Sequence, residues 1–236
     1  MAKKNDHDLR VILESTYRAF SNMAGFELKK DLIVYNNLKN YPFIYGYEGD
    51  VKEISITLNI DNAMSWCKII FQFSHELCHA FCDFNVSLGH KQKWFEEVLC
   101  DAASISIFNY IYNNFEKLEF SKYYNFTIYK ENFKSYIEDI LQEYNTPRNL
   151  SKEEISEFIK QNIKALQENA TDREKNRVIS NYLCEQFFFG TPSRWKAIKY
   201  FNKWEINKEC SFEEFICNWL TVGDGNVKAI VKSLSI

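Results

Sequence analysis

Residues 71–81 read FQFSHELCHAF, and inside them HELCH sets two histidines four positions apart with a glutamate after the first. Four positions is about one helical turn, so His75 and His79 can point at one ion from the same side of a helix. Glu76 stands about 100° further round by helix geometry. From there it reaches a water held by an ion but not easily the ion itself. Two neutral imidazoles as ligands and a carboxylate that takes a proton from water are what metal-assisted hydrolysis requires. The plainer alternative is a core helix with satisfied histidines, because short patterns recur by chance. The helical wheel weighs against it: Trp66, Ile70, Phe73, Leu77, Phe81 and Phe84 gather on the side opposite the histidine pair.

A third ligand is the sharper test. Glu97 follows on the next helical segment, with Asp101 one turn further on the same face. Glu97 can complete a three-ligand site, and Asp101 is placed to hydrogen-bond the far nitrogen of a ligand histidine. Phe95, Val98, Leu99, Ala102 and Ala103 surround Glu97, so this turn is expected to be partly buried, where a carboxylate needs a partner. Glu96 is the competing ligand, with Cys100 rather than a carboxylate four residues on. Cys82, one turn beyond His79, opens a structural zinc set of His75, His79 and Cys82. His90, expected in an exposed loop, is a fallback ligand.

The elements that must position these groups are legible from periodicity and caps. Residues 8–23 carry apolar residues at helical spacing and close near Gly25; 31–35 and 43–47 read as short strands. In 54–60, Ile54, Ile56, Leu58 and Ile60 alternate with Ser55, Thr57 and Asn59, the pattern of a strand with one face in a core. Asp61 and Asn62 suit the cap of a helix over 63–84, and a second strong helix is predicted over 92–115. Beyond it the chain reads as helical, with its clearest break at 144–151. Ser151 with Glu154, Thr171 with Glu174 and Ser211 with Glu214 match the capping box, and Thr191-Pro192 marks another helix start. The aromatic stretches 187–195 and 199–204 are expected to pack the helical half on the core. The fold class is therefore α+β: a small mixed sheet beside the helix of the histidines, then a mostly helical C-terminal half. The division is a core over 1–118 and a helical region over 119–236 that can pack with it as one domain.

Composition bounds the rest. Of 236 residues, 46% are hydrophobic, which supplies ample core, and 29 Lys+Arg mixed among 32 Asp+Glu leave no basic stripe for nucleic acid. No apolar run is long enough to span a membrane, and MAKKNDHDLR lacks the apolar core of a signal peptide. Seven cysteines form no small-domain framework. A cytoplasmic chain with free thiols is expected.

The order strand, His75-Glu76-x-x-His79 helix, Glu97-x-x-x-Asp101 helix resembles the gluzincin branch of the zincin metallopeptidases, over residues 54–110. In size and location the chain looks most like the intracellular ImmA/IrrE-type regulatory metallopeptidases. The resemblance implies one zinc per chain on His75, His79 and Glu97, with Glu76 as general base and a peptide or protein as substrate. It also implies that 54–60 is a sheet edge, where Ser55, Thr57 and Asn59 would face a substrate added as a further strand. The metzincin branch would need glycine at 82 and a ligand at 85, where this chain has Cys82 and Asn85. No histidine follows His90, so a downstream tyrosine or arginine would have to stabilise the oxyanion. A zincin-like regulatory or binding module with an intact zinc site is the second reading. An amidase of the deformylase kind would need a cysteine ligand from an upstream strand, and Cys67 is on the histidine helix instead. Substrate preference and oligomeric state are not legible.

Overall fold

The structure, a computed structural model, describes residues 2–45, 53–62, 65–84, 89–205 and 207–234. Its elements are α1 (Ala2–Ala24), β1 (Asp31–Asn36), β2 (Phe43–Tyr45), β3 (Glu53–Leu58), α2 (Trp66–Phe81) and α3 (Lys93–Asn114). The helical half follows with α4 (Tyr124–Gln142), α5 (Lys152–Glu168), α6 (Arg173–Leu183), α7 (Phe212–Val222) and α8 (Gly225–Leu234). A π-helical turn (Cys184–Phe188) and a 3₁₀ stretch (Pro192–Tyr200) lie between α6 and α7. The fold is α+β, as expected. No helix of the described residues is long and apolar enough to cross a membrane.

The sheet has the order β1-β3-β2, with β1 parallel and β2 antiparallel to β3. Ile54, Ile56 and Leu58 of β3 are buried against α2, while Ser55 and Thr57 point to the other face. On that face Thr57 pairs with Tyr35 on one side and Phe43 on the other. The strand is thus central, and the expectation that it forms a sheet edge is overturned. Alternation reports which face is buried and carries no information about which strands pair on either side. Ser55 and Thr57 have their backbones in the ladder, and Asn59 lies just past its end. Asn59 instead ties the strand to the histidine helix: its N–H donates to Gln72 Oε1 (2.9 Å), its carbonyl accepts from Gln72 Nε2 (3.1 Å), and its Nδ2 donates to the Asn40 carbonyl (2.7 Å). Among the described residues the sheet edges are β1 and β2.

α2 packs along α3 on one flank and against α1 on another. Its apolar side is that read from the wheel: Trp66, Ile70, Phe73, Leu77 and Phe81 are all buried, as is Phe84 beyond its end. The helix begins later than predicted. Residues 63 and 64 lie outside the described residues, Ser65 is the cap residue without a side-chain cap bond, and Asp61 pairs with Lys68 (3.0 Å). In the helical half, Ser151 and Glu154 form a full capping box, and Ser211 accepts from the Glu214 N–H. At α6 the cap is Asp172, accepting from the Lys175 N–H (3.2 Å), in place of Thr171. One hydrophobic core runs through both halves of the chain, joining Ile56, Leu77 and Phe95 to Ile179, Phe201 and Trp219. The aromatic stretches serve that packing: Phe188 stacks on Trp195 (centroids 3.9 Å), and Phe201 is fully buried.

Candidate metal centre

His75 and His79 lie one turn apart on α2 with ring centroids 5.1 Å apart, facing α3. There Glu97 presents one carboxylate oxygen to each imidazole: Oε2 is 3.3 Å from His75 Nε2 and Oε1 is 3.4 Å from His79 Nε2. The far nitrogens have their own carboxylates. His75 Nδ1 lies 3.2 Å from Asp101 Oδ1, and His79 Nδ1 lies 2.7 Å from Glu96 Oε1. Because a carboxylate only accepts, each Nδ1 carries its proton, and both Nε2 atoms are turned toward Glu97. Glu97 and Asp101 share a face because they are four apart on α3; Glu96, one residue earlier, turns about 100° away from Glu97 toward His79. Glu96 thus lies against His79 Nδ1, as Asp101 lies against His75 Nδ1.

The donor types suit a metal ion, two imidazoles beside a carboxylate, with Glu97 reaching the two rings through different oxygens, 3.3 Å from His75 Nε2 and 3.4 Å from His79 Nε2. Carboxylates on both far nitrogens fix the tautomer and orientation of the two imidazole rings. A second donor is close: ligand atoms of His75, His79 and Cys100 all lie within 4.8 Å of one another, so this cluster could hold a metal ion. Cys100 is fully buried, and burial pushes its thiol well above the usual range. Cys78 and Cys82 lie alongside with sulfurs 4.0 Å apart, their thiols also pushed well up by burial. Without a metal these buried thiols hold their protons, and a cation bound beside one of them would displace its proton.

The electrostatics follow the contacts. Burial alone would lower the His75 pKa, but Asp101 and Glu97 outweigh it and raise it to about 9. For His79, burial is again overcome, by Glu97 and Glu96, and its pKa rises to about 10. Glu97 is held well below the usual carboxylate range against the effect of burial, by His79 and His75. Glu96, opposed likewise by burial, is lowered by Lys93 and His79; the Lys93 ammonium sits 2.5 Å from Glu96 Oε1. Glu76 differs: it is 5% exposed, and burial raises its carboxyl pKa despite the histidines beside it.

His90 lies elsewhere. It is buried instead of exposed, accepts at Nδ1 from the Gln92 N–H (2.8 Å), stands edge-on to Phe215, and has Nε2 3.8 Å from Cys210 Sγ. It fastens the segment before α3 to the segment before α7. What sequence reasoning missed is the role of Glu96 and its own support. Asn202 Nδ2 donates to Glu96 Oε2 (3.1 Å) and to the carbonyl of Cys82 (2.8 Å), the residue that ends α2. The Glu96-Glu97 pair was a signal for two carboxylate roles; Asn202 carries no local signal. No protein-family model matches the chain, and no curated protein or solved structure matches it.

Proposed function

We propose that this chain is a zinc-dependent metallopeptidase of gluzincin type, with His75, His79 and Glu97 as ligands. The observation that carries the reading is the Glu97 carboxylate facing both Nε2 atoms while Asp101 and Glu96 hold both Nδ1 atoms. Glu97 is preferred to Cys100 as third ligand because it is an ionised carboxylate reaching the surface, 14% exposed, whereas the Cys100 thiol is sealed in the core. Zinc held by these residues would supply Lewis acidity, lowering the pKa of a bound water toward neutrality and polarising a carbonyl oxygen. Glu76 is the general base: its carboxylate takes a proton from the attacking water and delivers it to the leaving amine. Its burial favours proton uptake, which suits a general base. A peptide would be recruited at an edge of the sheet, β1 or β2, since β3 is paired on both sides.

Elemental analysis tests the ligands and peptide hydrolysis tests the base. About one zinc per chain is expected in the wild type and in Glu76→Gln, and little in Glu97→Ala. Glu76→Gln should abolish hydrolysis of any peptide the wild type cleaves; cleavage at the wild-type rate would sink the mechanism. Zinc retained in Glu97→Ala and lost in Cys100→Ser would move the third ligand to Cys100.

The depth of the site favours a second reading. His79 and Glu76 are each only 5% exposed, which suits a regulatory or binding module with an intact zinc site and no general proteolytic role. That reading requires Glu76→Gln to leave the cellular phenotype unchanged while His75→Ala removes it.

A further inference from the structure

We propose that Asn202 is a positioning residue for the metal centre, acting on His79 through Glu96; this rests on the reading of His75, His79 and Glu97 as ligands. Glu96 is 1% exposed, and its two oxygens do different work. Oε1 accepts from His79 Nδ1–H, and Oε2 accepts from Asn202 Nδ2, which is 106 residues away in the chain. The same Nδ2 donates to the Cys82 carbonyl at the end of α2. One amide group thus fastens both the helix that carries His79 and the carboxylate that orients its ring.

The orientation of that amide is forced. Turning it over would set Oδ1 against the Glu96 carboxylate and the Cys82 carbonyl, two acceptors that cannot donate to it. As it stands, Oδ1 is buried with no hydrogen-bond partner among the described residues, an arrangement that costs stability. The backbone is also specialised. Asn202 has φ +58°, the left-handed region that asparagine tolerates better than most residues and glycine adopts freely. Its neighbours hold it there. Phe201 packs against Phe95, Phe215 and Trp219 with centroids 5.1 to 6.3 Å away, and Lys203 pairs with Asp83 (2.7 Å). Phe95 directly precedes Glu96, so the cluster that seats Asn202 also seats its acceptor. Through this contact the C-terminal half governs the direction and basicity of one metal ligand.

The test is zinc affinity measured by chelator competition, with the visible spectrum of the cobalt-substituted protein beside it. Asn202→Gly keeps the left-handed backbone and removes only the amide. It should weaken zinc by about 10- to 100-fold, the usual effect of losing an outer partner of a ligand, and perturb the cobalt spectrum. In a Glu96→Gln background the same change should add less than about twofold, because the two residues act as one unit. Lys203→Ala, which loosens the same segment without touching Glu96, should leave affinity within about twofold. If Asn202→Gly does not fold, Asn202→Asp replaces it and should weaken zinc by about tenfold or more, since it sets a carboxylate against Glu96. Wild-type protein that binds zinc, with affinity in the variant within twofold or with losses additive to Glu96→Gln, overturns the role of Asn202 alone. Wild-type protein that binds no zinc overturns the proposed function itself.

Discussion

At the residue scale the centre is a balance of charge. Without metal, His75 and His79 carry protons at neutral pH because Glu97, Asp101 and Glu96 surround them. Zinc held as proposed would need both Nε2 lone pairs, so uptake would expel those protons, and exchanging two protons for one divalent ion would leave the local charge unchanged. Calorimetry at pH 7 in buffers of different ionisation enthalpy should therefore show about two protons released per zinc. Release near zero would mean that the metal-free imidazoles are neutral and that the charge pairing is wrong. The same contacts set opposite pH trends. The folded pKa values lie above the ordinary 6.5, so this pairing stabilises the metal-free chain fully below about 6.5 and is lost as pH rises through about 9 to 10. Zinc affinity should climb over that same interval, as the competing protons leave.

At the element scale, local rules predicted where most helices start, and one exception is informative. Thr171 and Glu174 have the capping-box spacing, yet Asp172 takes the cap and α6 begins at Arg173. A carboxylate at this position is favoured by the helix dipole and also reaches Lys175 Nζ (2.7 Å), contacts that Thr171 does not make. Asp172→Ala should cost about 1 kcal/mol, and Thr171→Ala less than about 0.5 kcal/mol, in the free energy of unfolding. The reverse order in denaturant titrations would restore Thr171 as the cap. The Ser151 and Glu154 pair, by contrast, is the reciprocal box its spacing implied, because both bonds lie within four residues and need nothing from the rest of the fold.

At the scale of the whole molecule, the halves drawn at residue 118 share one core. α3 packs against α6, and α1 packs against the Pro192–Tyr200 stretch. A chain cut to residues 1–118 would expose Phe95, Ile105, Ile107 and Phe108 of α3, all fully buried in the intact protein. It should bind the apolar dye that reports exposed core and show no cooperative thermal transition. A sharp melt in that fragment would instead make residues 1–118 a domain in their own right.

The sequence by itself determined the parts that depend on spacing along one element. Four residues between His75 and His79, and four between Glu97 and Asp101, set their shared faces, and alternation set which side of 54–60 is core. Those are consequences of 3.6 and 2 residues per repeat and hold wherever the element sits. The tertiary structure alone decided what spacing cannot encode. Strand order made β3 central, because pairing partners are chosen by the packing of the whole sheet. The roles of Glu96 and Glu97 were separated only when α3 was set against α2, which turned one carboxylate to Nδ1 and the other to both Nε2 atoms. Asn202 became part of the centre only because a buried aromatic cluster brings a distant left-handed turn to the end of α2.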